Sequence, residues 1–187
     1  HAAGTEIFPH DFQRQIDLQF ARVVELRLAQ HTLAHVNDAA GESRVTAVEP
    51  LQCYVRYLKA RWEGDPKVTI IEASAGLSNG PVTLYQQGDQ SGVFASGPAV
   101  QVHQIDAADL IQGKVDLLKI NVEGSEYDIL DRLHAADVMR HITHIQIQFH
   151  RIGDDHEARH DRIRNRLKLT HACQWRVPWT WESWTIL

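Results

Sequence analysis

The chain has 187 residues, 43% of them apolar and 23% charged, with a formal net charge of −5 when its 12 histidines are neutral. That length suits one domain with a sizeable core, and the acidic balance argues against a broad phosphate-binding surface for DNA or RNA. No apolar run approaches the roughly 20 residues that cross a bilayer, and the two cysteines, Cys53 and Cys173, fall in separate elements, which disfavours a disulfide framework.

The expectation is therefore a soluble, cytoplasmic protein with neither nucleic acid nor membrane as partner. The chain starts at His1 in place of Met and shows no signal-peptide pattern, which fits a tagged or incomplete N-terminus. From Asp11 to Val36, Phe12, Ile16, Phe20, Val24 and Leu28 recur at loosely helical spacing, although Val23-Val24-Glu25-Leu26 also suits a first strand. Arg44 to Glu49 reads as a second strand ending in an acid before Pro50. A helix follows, with Leu51, Tyr54, Val55, Leu58 and Trp62 on one face and Gly64-Asp65-Pro66 to stop it. Val68 to Glu72 is a third buried strand. Glu25, Glu49 and the turn from Glu72 to Ser74 would then share one rim. Asn79-Gly80-Pro81 turns into Val82 to Tyr85, and Val100 to Ile105 alternates as a strand. The polar, glycine-rich stretch from Gln86 to Gly97 between them reads as a mobile hairpin or lid, and Asp106 to Ile111 as a short helix.

The most informative stretch is Val115 to Leu130. Val115, Leu117, Leu118 and Ile120 form the nearly continuous apolar run expected of a parallel strand covered on both faces. Asn121, Glu123 and Glu126 then cluster around Gly124, and Ser125 with Asp128 resembles a capping box opening a helix through Ile129, Leu130 and Leu133. Ligands of open α/β sheets sit beyond the carboxyl ends of the strands, so Asn121 and Glu123 are site candidates. Further on, His144 to Phe149 alternates as a strand that delivers His150 at its end. Asp154 and Glu157 suit the start of a helix with Ala158, Ile163 and Leu167 turned inward, and Gln174 to Leu187 reads as an antiparallel hairpin rich in tryptophan.

The run from Leu118 to Glu126, LKINVEGSE, resembles the "LLKIDVEGAE" signature of the FkbM-type S-adenosylmethionine-dependent methyltransferases, with Asn121 where that family usually has Asp. The resemblance spans roughly residues 44 to 187, and HIQIQFH ending at His150, Thr170-His171 and the Trp179 to Trp184 segment resemble the ending of one branch of the family. It implies one methyltransferase-like domain over residues 1–187: an α/β, Rossmann-like, doubly wound and mostly parallel seven-stranded sheet with an antiparallel C-terminal hairpin. Residues 1–43 are atypical, because Arg27 to His31 stand where the family carries a glycine loop after its first strand.

The implied activity is methyl transfer from S-adenosylmethionine to an oxygen of a small molecule or glycan, by a monomer or homodimer and with no metal. Glu49 would accept hydrogen bonds from the ribose diol, as acids do after the second strand of dinucleotide folds; an exposed helix-capping acid is the plainer role. Glu25 would hold the amino-acid end of the cofactor, Ala73 and Ser74 would line the adenine, and Asn121 and Glu123 would shape the transfer site, with the acceptor under the Gln86 to Gly97 loop. A carboxamide takes no proton near neutral pH, so His150 is the candidate base; a structural turn histidine is the alternative.

Two rival readings remain. Without the glycines and with Asn121, the fold could bind a ligand or partner and do no chemistry. His156-Glu157-Ala158-Arg159-His160 also matches H-E-x-x-H, the helix signature of zinc hydrolases. It lies among Asp154, Asp155, Asp161 and Arg162, which points to a solvated helix face, and Arg159, Arg162 and Arg166 add a basic surface stripe.

Overall fold

The computed structural model describes residues 22–27, 43–86, 92–93 and 96–187. Its framework is a seven-stranded sheet made of β1 (Arg22–Arg27), β2 (Arg44–Val48), β3 (Val68–Ile71), β7 (Val115–Asn121), β8 (Ile142–Ile147), β9 (His171–Val177) and β10 (Trp181–Ile186). The order is β3-β2-β1-β7-β8-β10-β9. Every neighbouring pair from β3 to β8 is parallel, and β10 runs antiparallel to both β8 and β9. β7 lies in the middle, and that position explains its unbroken apolar run: Leu117, Leu118 and Ile120 are all buried, on opposite faces.

Helices cover both faces. Ala47 of β2 clusters with Leu58 of α1 (Gln52–Arg61), whereas the next residue, Val48, joins the main core. That core packs Ile129, Leu130 and Leu133 of α2 (Glu126–Ala135) and Ile163 and Leu167 of α3 (His156–Leu167) onto Val24, Leu26, Leu118, Ile120, Ile145, Ile147 and Trp184. Side chains of α2 and α3 are also tied by Arg159–Asp128, Arg162–Asp131 and Arg166–Asp131 ion pairs. The three arginines of the basic stripe are thus paired with two carboxylates of the adjacent helix.

Between β3 and β7 the chain builds a second sheet from β4 (Ser74–Gly76), β5 (Gly80–Tyr85) and β6 (Ala99–Asp106), ordered β4-β6-β5. The strands expected at Val82–Tyr85 and Val100–Ile105 are present, but outside the main sheet. The second sheet is anchored where Asp106 accepts two hydrogen bonds from Arg132 of α2, at 2.9 and 2.7 Å, and donates its own N–H to Asn79 Oδ1.

Several local expectations are corrected. Ser125 precedes α2 with a helical backbone and without a side-chain cap, and the turn is held instead by Glu126, which accepts from Gly124 N–H. Neither Asp154 nor Asp155 caps α3, and Ala158 is exposed; His160 instead completes the inward stripe with Ile163 and Leu167. The short helix after Asp106 is a 3-10 turn, Ala107–Leu110, and the final hairpin begins at His171. Of the expected lid, residues 87–91 and 94–95 lie outside the described residues; Gly92 bridges to Tyr85, and Gln86 N–H donates to Pro98 O.

Candidate functional site

Register puts the strand ends level. Leu26 stands opposite Val48, Val48 opposite Ile71, and Arg27 opposite Asn121. Glu49 and Asn121 therefore lie on one carboxyl edge two strands apart, which at about 4.8 Å per strand is roughly 10 Å. Arg44 to Glu49 ends as anticipated: Glu49 is buried, its N–H donates to Ile71 O, and its Oε1 accepts from Leu51 N–H at 2.9 Å. It is not an exposed acid. Glu25 pairs opposite Ala47 and Lys119 inside β1, and its side chain lies outside the described residues, as do residues 28–42.

The tightest geometry follows β7. Glu123 and Gly124 have φ of 50° and 106°, a left-handed pair that turns the strand into α2. Gly124 accepts this freely, whereas Glu123 carries a conformational cost of about 1 kcal/mol. Glu126, at 0% exposure, then holds two segments at once: Oε2 accepts from Gly124 N–H at 2.8 Å and Oε1 from His150 N–H at 2.6 Å. The Tyr127 hydroxyl donates to His150 O at 2.7 Å. Burial, followed by the neighbouring Glu126 charge, pushes that phenol up out of its ordinary range, so it remains a donor.

These contacts fix His150 between two carboxylates. Its Nδ1 is 3.2 Å from Glu126 Oε1, and its Nε2 is 3.3 Å from Glu123 Oε2. Burial alone would lower the imidazole pKa; the hydrogen bonds and charges of Glu123 and Glu126 outweigh it and raise the value to about 9. The His150 and Glu123 side chains each keep some exposure, at 17% and 16%, so this group opens onto the edge.

Beside the turn after β7, a shallow depression open to solvent is lined by Ser74, Ala75, Gln104, Val122 and Ser125, with Leu84 from β5 and Val93 from within the expected lid. Ser74 Oγ and Asn121 Oδ1 are buried without hydrogen-bond partners, which leaves two polar groups for a ligand to satisfy. Ala73 is buried, and its N–H is already engaged by Ile71 O. The structure thus brings Glu49, Ser74, Asn121, Glu123 and His150 to one edge.

The H-E-x-x-H motif lies in α3. His160 is buried, contrary to a solvated face, and its Nε2 meets Glu182 Oε1 at 2.9 Å; His156 Nδ1 binds Gly153 O. Among the described residues, no group of three His, Cys, Asp or Glu side chains could hold a metal. Sequence reasoning grouped Glu126 with the turn but missed its grip on His150, and it missed Glu182 altogether. The signal was present: Glu126 shares the i, i+3, i+4, i+7 stripe of Ile129, Leu130 and Leu133, and a charged residue on an apolar stripe must have partners.

The model of the methyltransferase FkbM domain matches residues 21–176. Among solved structures, the chain is similar to methyltransferase FkbM from Methylobacillus flagellatus KT, with a TM-score of 0.52 and 15% identity over 80% of this chain. It is also similar to the fibrillarin pre-rRNA processing protein of Methanococcus jannaschii, with a TM-score of 0.51 and 13% identity, covering 90% of this chain and 67% of that one. The chain spans 38% of the length of the Methylobacillus protein. At these identities the likeness is one of fold. No curated protein matches the chain. With the domain model running from β1 almost to the end of β9, this chain belongs to the FkbM methyltransferase domain family.

Proposed function

We propose that the protein is a Rossmann-like, S-adenosylmethionine-dependent O-methyltransferase acting on a small molecule or glycan hydroxyl. One observation carries this reading: His150, clamped between Glu123 and Glu126, opens onto the same strand edge as Glu49 and Asn121. The groups present fit the cofactor. Glu49 would accept the ribose hydroxyls and Ser74 Oγ and Asn121 Oδ1 would supply buried polar contacts, and the resemblance to the family assigns Glu25 of β1 to the amino-acid end. When bound, S-adenosylmethionine supplies an electrophilic methyl group.

The remaining chemistry belongs to the chain. With carboxylates at both ring nitrogens, the resting imidazole is doubly protonated. To serve as base, His150 keeps its Nδ1–H on Glu126 and frees Nε2 for the acceptor hydroxyl, which takes the place of the Glu123 carboxylate. The methyl carbon's bond to the cofactor sulfur would break as the acceptor oxygen bonds that carbon, the sulfur keeping the electron pair; the chain's part would be to take the hydroxyl proton at Nε2 and to stabilise the resulting imidazolium through Glu126. At a pKa of about 9, on the order of 1% of the imidazole is neutral at pH 7. The transfer rate should therefore rise about tenfold per pH unit towards pH 9. Orientation of acceptor and methyl on a rigid edge supplies the rest of the acceleration.

A second reading, a ligand-binding protein without chemistry, is favoured by Asn121, whose carboxamide accepts no proton. Calorimetric titration with S-adenosylmethionine tests the first. Binding that weakens about tenfold or more in Glu49→Ala supports it, and absence of heat at millimolar cofactor overturns it. Labelled-methyl transfer to a panel of hydroxylated glycans and small molecules separates the two readings.

A further inference from the structure

We propose that Arg151, stacked on Trp179, recognises a carboxylate on the acceptor, so that the hydroxyl methylated beside His150 belongs to a hydroxy-acid such as a uronic acid; this rests on the methyl-transfer reading. Because β10 runs antiparallel to β8, with Glu182 opposite Ile147, the turn preceding β10 lies at the carboxyl end of β8. That places Trp179 on the edge where the chain leaves β8 through His150 and Arg151. The Arg151 guanidinium sits 4.9 Å from the Trp179 ring centre.

The shelf is built, not incidental. Trp179 has φ 56°, a left-handed conformation unfavourable for a bulky side chain. It is held there by His160 at 4.7 Å and His156 at 5.2 Å between ring centres. Those rings are anchored in turn by Glu182 and by Gly153 O. Arg151 is exposed and makes no hydrogen bond or ion pair among the described residues. Asp154 and Asp155, three and four residues on, form no ion pair with it. A guanidinium lying on an aromatic face keeps its N–H edge available and oriented, the arrangement that takes a planar carboxylate with two parallel hydrogen bonds.

Charge complements geometry. Glu123, Glu126 and a protonated His150 together carry one net negative charge, which repels an anionic acceptor. An uncommitted cation on the adjoining strand end offsets that repulsion and fixes which way the acceptor lies.

The test uses the full chain and two probes that differ only at C6, a carboxylate in D-glucuronate and a hydroxymethyl group in D-glucose, followed by NMR of the Arg151 Nε–H and Trp179 indole N–H. The expected result is that millimolar glucuronate shifts both resonances and glucose shifts neither. Arg151→Gln should weaken glucuronate binding tenfold or more, and Arg151→Lys, which keeps charge but loses the fork, should restore part of it. Equal responses to the two sugars, no movement at either resonance, or preference for cationic D-glucosamine would overturn the proposal. Titration of S-adenosylmethionine into the same Arg151→Gln sample keeps the two ideas apart: unchanged cofactor affinity with no glucuronate response removes only the carboxylate site, whereas no cofactor binding by any variant removes the methyl-transfer reading.

Discussion

Two histidine–glutamate groups in this protein are opposites in their ratio of donors to acceptors. At the strand edge one imidazole faces two carboxylates, Glu123 and Glu126. Under the hairpin one carboxylate, Glu182, receives His160 Nε2 at 2.9 Å and Trp184 Nε1 at 3.0 Å, and Arg164 Nε stands 3.3 Å away as an ion-pair partner without hydrogen-bond geometry. Burial alone would raise the Glu182 pKa, but the His160 hydrogen bond and the Arg164 charge hold it below the ordinary carboxylate value. A surplus of donors closes a site and clamps the hairpin to α3. A surplus of acceptors, partly open to solvent, leaves room for an arriving hydroxyl.

The comparison can be broken most severely at the clamp. Glu182→Ala would strand two hydrogen-bond donors, His160 and Trp184, and leave Arg164 without its ion-pair partner, and a loss of about 3–5 kcal/mol is expected from urea unfolding; a loss below 1 kcal/mol would mean that the clamp is dispensable. His150→Gln should lower methyl transfer by roughly 10²–10⁴-fold with S-adenosylmethionine affinity unchanged, measured by single-turnover kinetics beside calorimetry. Glu126→Gln keeps the side-chain shape and its acceptor for His150 N–H but removes one charge, so the His150 midpoint should fall and the rate profile should shift towards acid. The smallest effect is expected at the second sheet: Asp106→Asn should lower the melting temperature by less than Glu182→Ala and leave cofactor binding intact.

The pH dependence of stability follows from the same two kinds of site. His150 has a folded pKa raised from 6.5 to about 9, so its contribution is fully present below pH 6.5 and is lost as pH rises through 9. The amount is on the order of 3 kcal/mol at 1.4 kcal/mol per unit. Asp106 behaves in the reverse sense. Burial would raise its pKa, but the Arg132 hydrogen bonds and the Ala108 N–H depress it, so its contribution is present above the ordinary value of 3.8 and disappears as pH falls through the depressed one. Urea midpoints measured from pH 3 to 10 should fall at both ends.

Much of the fold was legible because its periodicities are clean. Val115 to Ile120 reads as a central strand, and the edge carrying Glu49 and Asn121 follows from parallel order and strand length. The second sheet was not legible as such, since Val82–Tyr85 and Val100–Ile105 alternate like any half-buried strand and nothing local says which sheet they join. At the site, residue type located His150 and Glu123 but not the device that holds them. The capping pattern at Ser125 and Asp128 is not realised by the Ser125 side chain, and the turn is held by Glu126, whose one buried carboxylate satisfies both Gly124 and His150. The H-E-x-x-H spacing was real, yet the apolar stripe through His160, Ile163 and Leu167 turned its second histidine into the core.

Titration of the His150 imidazole, followed by carbon–proton NMR on histidine-labelled protein with His150→Gln for assignment, reads the acceptor-rich edge directly. A midpoint near 9, falling in Glu126→Gln, is the predicted result. A midpoint at or below 6.5, unmoved by that substitution, would contradict the placement of His150 between two carboxylates and with it the role assigned to that edge.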